Sequence, residues 1–208
     1  MSTTFNDPEA TGQCPFSGEA RATLRQHAER SVPLRCAEFL RVGMVAHAGF
    51  VQDGQPYVIP LAYHYKEGAA DAPGCIYLHG GRESRAMAEL ANGRPVCVTV
   101  TLLDALVASK TALNHSMNYR SVVCFGKGRL VTERNEKERA LAAMIDRYFP
   151  QRAAGRDYSA ATPEHLDITT VVAVAIEAWS GKTRNGGPTG PHDRNADHPG
   201  TSGILPTG

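Results

Sequence analysis

The chain has no long apolar stretch. None of its hydrophobic runs approaches the roughly 18 to 20 residues needed to cross a bilayer, and residues 1–17 lack the basic start and apolar centre of an export signal. These absences predict a cytoplasmic protein with no membrane partner. It also lacks an excess of charge of one sign: 22 Lys+Arg against 21 Asp+Glu leave a net charge of +1. That is too balanced for the broad positive field on which binding to a nucleic-acid backbone draws, so nucleic acid is set aside as a partner. Aromatic residues make up only 7% of the chain, with a single tryptophan, Trp179. Five cysteines (Cys14, Cys36, Cys75, Cys97 and Cys124) show no CxxC or CxxH spacing. An odd, scattered set indicates neither a disulfide framework nor a zinc site, and most of these thiols sit in apolar, strand-like runs that suit burial.

What is present fits one domain with appendages, since 208 residues lie close to the usual length of a single domain. Residues 1–33 are polar and broken by Gly and Pro, with a short helical possibility over 20–30, and read as an N-terminal arm. Residues 34–182 carry the strand and helix patterns of the domain. In residues 183–208, ten of the 26 are Gly or Pro, which predicts an extended or disordered tail. Within the domain a short helix closes over 37–41. Strand-like runs follow at 42–51, 57–65, 75–79, 96–103, 106–109, 119–132 and 168–179. Asp53-Gly54 between the first two is a hairpin signal, with a loop over 52–55 that reads as longer than the tight two-residue case. Helices are predicted over 83–91, stopped by Asn92-Gly93 and Pro95, and over 136–149, ended by Pro150. The sum is a mainly β protein: a six- or seven-stranded antiparallel barrel with short helices packed outside it.

Three segments could carry chemistry. In the first, residues 76–85, a strand runs through Gly80-Gly81 into a helix start bearing Arg82, Ser84 and Arg85. Backbone N–H groups, a hydroxyl and guanidiniums together suit a phosphate; the same residues also read as a glycine turn with an N-cap and solvated arginines. In the second, Arg120 and Ser121 open an otherwise apolar strand, as an anion contact or as an exposed strand end. In the third, Pro60 cannot donate to a ladder, which places residues 56–65 on an edge or at a bulge. Of the eight histidines, His47, His64 and His79 fall on neighbouring strands without ligand spacing, so no metal site is predicted. His79 is the one placed at a cofactor. His115 precedes the Arg120 strand, and His192 and His198 read as solvated. Tyr63, Tyr77 and Tyr119 suit stacking or simple packing.

Five ordered motifs, DGQPYVIPLAY (53–63), IYLHGG with SR following (76–81 and 84–85), PVCVTVTLLDALV (95–107), HSMNYRSVVCFGKGRLV (115–131) and WSGK (179–182), resemble the flavin-binding split-barrel superfamily that includes pyridoxamine 5'-phosphate oxidase. The resemblance is closest to bacterial flavin-nucleotide-binding proteins related to nitroimidazole-resistance reductases. It implies a split β-barrel, FMN as cofactor, and a homodimer whose flavin sites use both protomers. It also implies that Ile59, Pro60, Leu61 and Ala62 lie along the isoalloxazine ring, that Tyr77, Leu78 and His79 line its other contacts, and that Ser84 and Arg85 hold the phosphate. Arg120 and Ser121 are a further implied flavin contact, and Trp179 with Lys182 closes the site near the dimer interface.

The departures point away from vitamin B6 chemistry. The oxidase follows its Ser-Arg with Lys where this chain has Ala86, and its Arg-rich C-terminal substrate motif is replaced by residues 181–188. The expectation is an FMN-dependent oxidoreductase that takes electrons from a nicotinamide donor, NAD(P)H, and passes them to a small-molecule substrate such as a quinone or nitroaromatic. The alternative is a non-enzymatic carrier of flavin or haem. Because a flavin supplies its own redox chemistry, no catalytic side chain is named.

Overall fold

In the computed structural model, which describes residues 14, 16–69 and 72–207, the sheet begins after a short helix, α1 (Cys36–Val42). Strand β1 (Ala46–Gln52) returns directly into β2 (Gln55–Leu61), with Gln52 paired to Gln55. Asp53 and Gly54 have φ of 51° and 81°, both in the left-handed region, so the connection is the tight two-residue type I′ turn and not the longer loop expected over 52–55.

The strand predicted over 57–65 breaks at Ala62. β2 ends at Leu61, and β3 (Tyr63–Lys66) begins two residues later. The other strands are β4 (Cys75–Gly81), β5 (Asn92–Ala108), β6 (Ser116–Leu130), β7 (Thr169–Arg184) and β8 (Gly203–Pro206). Hydrogen-bonded neighbours follow the order β2-β1-β5-β6-β7-β4-β3, so β2 and β3 stand at opposite ends of the sheet although one residue separates them in the chain. The sheet therefore curls round until its ends meet at Ala62. No ladder joins those ends, and the barrel is split along that seam. All the strand ladders are antiparallel. Among the described residues there are eight strands in place of six or seven. The runs at 96–103 and 106–109 form one long β5 with an irregularity between Leu103 and Ala105, and the tail adds β8.

Alternation along the strands sends Ala46, Ala48, Phe50, Val98, Val100, Val122, Cys124, Val172 and Val174 into one core. Two helices enter this core instead of packing outside. Cys36, Phe39 and Leu40 of α1 and Ala86, Met87 and Leu90 of α2 (Arg85–Ala91) belong to it. Glycine permits both approaches: a Cβ at Gly181 would stand 2.8 Å from Cys36 Sγ, and one at Gly128 would stand 1.9 Å from the Leu90 carbonyl. Gly181 pairs with Val122, six residues along β6 from Gly128, so α1 and α2 stop opposite ends of the barrel. The longest helix, α3 (Arg134–Tyr148), does lie outside, where Ala140 and Met144 pack on Tyr77, Val171 and Ala173. A fourth helix, α4 (Pro163–Ile168), was not anticipated; Thr162 caps it and Pro163 occupies its first turn.

The C-terminal end of α3 clamps the seam. The Arg147 guanidinium donates to the carbonyls of Arg41 (2.9 Å), Leu40 (3.0 Å) and Gly43 at the end of α1, and lies 4.4 Å above the Tyr63 ring. A cation at a helix C-terminus satisfies carbonyls that the helix itself leaves free. Next to it, the Tyr148 hydroxyl accepts from the Tyr63 backbone N–H (3.0 Å) and donates to the Met44 carbonyl (2.8 Å). Tyr63, fully buried, donates its own hydroxyl to Leu40 (2.7 Å).

The tail is anchored. β6 occupies one edge of β5 along nearly its whole length, so β1 at 97–100 and β8 at 105–108 share the other. The chain reaches β1 from α1 only at Ala46, which leaves the far stretch of that edge open for β8 to cover. The Asp193 carboxylate accepts from Ser109 Oγ (2.9 Å) and from the N–H groups of Lys110 (2.7 Å) and Gly190 (2.6 Å). Lys110 Nζ donates to the carbonyls of Asn195 and His198. Among the described residues no helix is long and apolar enough to cross a membrane.

Arg147→Ala removes three charge-assisted hydrogen bonds from partly buried carbonyls. It is expected to cost roughly 2 kcal/mol in urea unfolding, whereas Arg139→Ala on the same helix changes little; equal midpoints for the two variants would contradict the clamp.

Candidate functional site

Two elements meet at the end of the barrel stopped by α2. β2 is an edge strand paired only with β1, which accommodates Pro56 and Pro60. Tyr57, Ile59 and Leu61 lean on the core, while Val58 and Pro60 are exposed. The turn after β4 then delivers α2, with Ser84 as its N-cap accepting from Met87 N–H at a long 3.5 Å. Arg85 donates to the Tyr57 hydroxyl (3.0 Å) and lies 5.2 Å from that ring's centroid; Tyr57 in turn stacks on Phe50 at 5.4 Å. Within the described residues, neither Arg82 nor Arg85 forms a salt bridge. The turn thus presents two guanidiniums without a salt-bridge partner among the described residues, with Glu83 between them in the chain. Ala86 is buried in the core. Because α2 has only seven residues, its backbone dipole is small, and the positive character of the corner comes from the arginines.

The other predicted residues are placed differently. On β4, Leu78 faces the core, whereas Tyr77 and His79 lie on the outer face, where Tyr77 packs beneath α3. The Tyr77 hydroxyl donates to Glu136 Oε1 (2.8 Å), which also receives Arg129 (2.5 Å). The Arg129 guanidinium holds the Glu136 carboxyl below its ordinary range. His79 Nδ1 is buried and has no hydrogen-bond partner among the described residues. Ala62 forms the corner between β2 and β3.

Arg120, Ser121 and Lys182 occupy the opposite end. Gly49 pairs with Cys97, so Phe50 and its partner Tyr57 stand level with Val96, which pairs with Gly126. Arg120 lies six residues from Gly126, about 20 Å along the strand. There it pairs with Asp104 (2.7 Å), and Ser121 stands opposite Lys182. Trp179 is buried, with its indole N–H directed at Cys14 Sγ (3.2 Å) and its ring meeting Phe16 edge-on. One chain therefore gathers Tyr57, Ser84 and Arg85 at one end and Arg120, Ser121 and Lys182 at the other, with β2 running between them: Ile59 stands midway, and Leu61, opposite Ala46, is level with Val100 and Val122, next to Ser121. Sequence reasoning missed the contact between Tyr57 and Arg85, a pairing 28 residues apart that no local pattern signals.

A second concavity lies on the outer face. His64 of β3 stands beside Tyr77 of β4, with ring centroids 6.2 Å apart. Between this pair and α3 opens a groove of about 550 Å³ lined also by Lys66 and Arg139, by Glu133, Asn135 and Glu136, and by Ala140 and Ala143. Burial lowers the pKa of His64, aided by the nearby charges of Arg147 and Lys66, and burial alone lowers that of His79. Burial raises the thiols instead, Cys75 to about 11 and Cys124 further, so neither is poised as a nucleophile.

A family model described as pyridoxamine 5'-phosphate oxidase matches residues 33–183. The chain belongs to the pyridoxamine 5'-phosphate oxidase family. Among solved structures of similar fold is a FAD and haem binding protein from Mycobacterium smegmatis: 28% identity, TM-score 0.71, covering 85% of this chain and 83% of that one. The flavocytochrome Anf3 from Azotobacter vinelandii aligns at 23% identity and TM-score 0.76 over 92% of this chain and 86% of its own. A protein described as a 5-nitroimidazole antibiotic resistance protein from Bacteroides thetaiotaomicron aligns at 24% identity and TM-score 0.57, over 72% and 82% respectively. The last two likenesses establish the fold alone. No curated protein matches this chain. Membership of the pyridoxamine 5'-phosphate oxidase family accounts for the split barrel and for the strand-turn-helix order at the Arg85 corner.

The histidines make stability depend on pH. In the unfolded chain both imidazoles take up protons near their ordinary value of 6.5; in the folded chain they resist protonation until lower pH. Their contribution is present above about 6.5 and is lost as the pH falls below it. Urea midpoints are expected to drop between about pH 7 and pH 5, and to drop less in His79→Gln; an identical drop in that variant would contradict the assignment.

Proposed function

We propose that this protein is a flavoprotein whose flavin nucleotide lies along β2 with its phosphate end at Arg85. One observation carries this: the turn at 82–85 holds two guanidiniums without carboxylate partners, beside an edge strand whose free side can lie against a planar ring. Arg85 is held in place by Tyr57, and the long Ser84 hydrogen bond leaves that hydroxyl available to a phosphate oxygen. Ile59, Pro60, Leu61 and Ala62 would contact the ring; Leu78 supports the wall from the core side. A bound flavin supplies hydride and electron transfer, and the chain supplies orientation and shielding from water.

The nucleotide we favour is FMN, and the activity an oxidoreductase taking electrons from NAD(P)H to a small planar acceptor such as a quinone or nitroaromatic. Vitamin B6 oxidation is disfavoured because position 86 is a buried alanine turned into the core, where a phosphate-binding lysine would have no exit. Purified protein titrated with FMN is expected to show a bound flavin spectrum that bleaches anaerobically with NADPH. Arg85→Ala is expected to weaken FMN binding at least tenfold with the fold intact. Unchanged binding in that variant refutes the phosphate site, and a bound flavin that no nicotinamide reduces leaves a carrier in place of an enzyme.

We further propose a homodimer. The Arg120, Ser121 and Lys182 cluster stands about 20 Å along the strand from the Arg85 corner, which fits a flavin site completed by a second copy. Leu205, Leu106 and Met117 also form an exposed apolar row across β8, β5 and β6. Light scattering is expected to give twice 22.3 kDa; a monomer with flavin fully bound overturns this.

A second reading, that the chain also binds haem, is favoured by His64. This imidazole forms no hydrogen bond among the described residues and opens onto the outer groove. The FAD and haem binding protein at 28% identity supports the same reading.

A further inference from the structure

Arg85 is exposed, and a long exposed side chain gives up much of its rotamer freedom when a ligand fixes it. Here part of that ordering precedes any ligand. Arg85 Nη1 donates to the Tyr57 hydroxyl at 3.0 Å, and the guanidinium carbon lies 5.2 Å from the centroid of the same ring. Tyr57 is held in its turn. Its half-buried ring stacks on Phe50 at 5.4 Å, with the two planes inclined by 17°, and Phe50 is a core residue that faces Tyr57 across the β1–β2 hairpin. A line of contacts thus runs from the core through two aromatic rings to the guanidinium. Such preorganisation lowers the ordering cost that binding would otherwise carry.

The chemistry of the partner matters as much as its place. A carboxylate at position 57 would hold the guanidinium and neutralise it. A phenol hydroxyl accepts the hydrogen bond while staying neutral, so Arg85 keeps its charge for an anion. Among the described residues only one of its N–H donors is engaged, which leaves the rest of the fork for phosphate oxygens. Tyr57 also lies two residues from Ile59 on the same strand, about 7 Å along it. The strand proposed to carry the flavin ring therefore sets the position of the phosphate cation as well, independently of how α2 is seated.

We propose that Tyr57 is a positioning residue for the phosphate end of the flavin nucleotide: through Arg85 it fixes a charged donor fork at a set distance from Ile59–Ala62, and so makes the site select FMN over riboflavin, which has the same ring and no phosphate. This inference rests on the flavin reading above and deepens it. Phe50 supports the same role from the core side, and the unit Phe50, Tyr57 and Arg85 joins β1, β2 and α2 at one point.

The test is titration of the full-length protein with FMN and, separately, with riboflavin, read by quenching of flavin fluorescence. Wild type is expected to bind FMN more tightly than riboflavin. Tyr57→Phe keeps the ring and its stack on Phe50 and removes only the hydroxyl; it is expected to weaken FMN roughly fivefold and to leave riboflavin binding unchanged, a split that general damage to the β2 edge would not produce. In the Arg85→Ala background, adding Tyr57→Phe is expected to have no further effect on FMN, because the two residues act as one unit. If wild type binds no FMN, or if Arg85→Ala leaves FMN binding unchanged, the flavin reading of this corner fails and the role of Tyr57 with it. If Arg85→Ala weakens FMN but Tyr57→Phe does not, only the positioning role is overturned. Equal losses for FMN and riboflavin in Tyr57→Phe, or losses that add in the double variant, overturn it too.

Discussion

The single-residue link at Ala62 is the constraint on which the rest of the molecule depends. It joins two strands that lie at opposite ends of a seven-strand path, so the sheet has no choice but to roll up. Rolling creates the interior that α1 and α2 stop at either end, and it leaves a seam where two strand edges meet without a ladder. Unpaired edge groups next to a core are costly. The seam is accordingly fastened from outside, by Tyr148 taking the Tyr63 N–H and by Arg147 spanning the carbonyls at the end of α1. These two adjacent residues of α3 link helix, seam and barrel mouth.

The same geometry produces the candidate sites. An edge strand that cannot be paired is available to a planar ligand, and β2 tolerates two prolines because nothing asks for their missing donors. α2 can reach that edge only because Gly80 and Gly128 let it sink into the barrel end; a Cβ at Gly80 would stand 2.9 Å from Met87. On the far side of the wall, α3 must cross β3 and β4 to reach the seam, and its small residues along the way leave a groove. One wall therefore has a cationic corner on one side and an aromatic floor with a free imidazole on the other.

Much of this was legible in the residues. Asp53-Gly54 marked the hairpin, alternation marked most strands, and the glycine turn before Ser84 and Arg85 marked the phosphate corner. Other parts depended on contacts that sequence periodicity does not encode. The break at Ala62 interrupts a run from Tyr57 to Tyr65 that alternates smoothly, and only the requirement that both halves sit at sheet ends divides it. β8 has four residues in a Gly- and Pro-rich tail; its order comes from Asp193 and Lys110, partners some 80 residues apart. α4 had a readable signal, Thr162 before Pro163, but with Leu166 as its only buried residue it lacks an apolar face. Tyr77 and Trp179 were read as flavin contacts from resemblance. Strand parity shows Tyr77 engaged by α3, and Trp179 is covered by Phe16 and Cys14.

The central claim is that the β2 edge and the Arg85 turn together form the flavin site. The most direct measurement is a crystal structure of the protein grown with saturating FMN. The account predicts the isoalloxazine ring alongside Ile59–Ala62, with the phosphate bonded to Arg85. A flavin lying elsewhere, or at this edge with its phosphate turned away from Arg85, would contradict it.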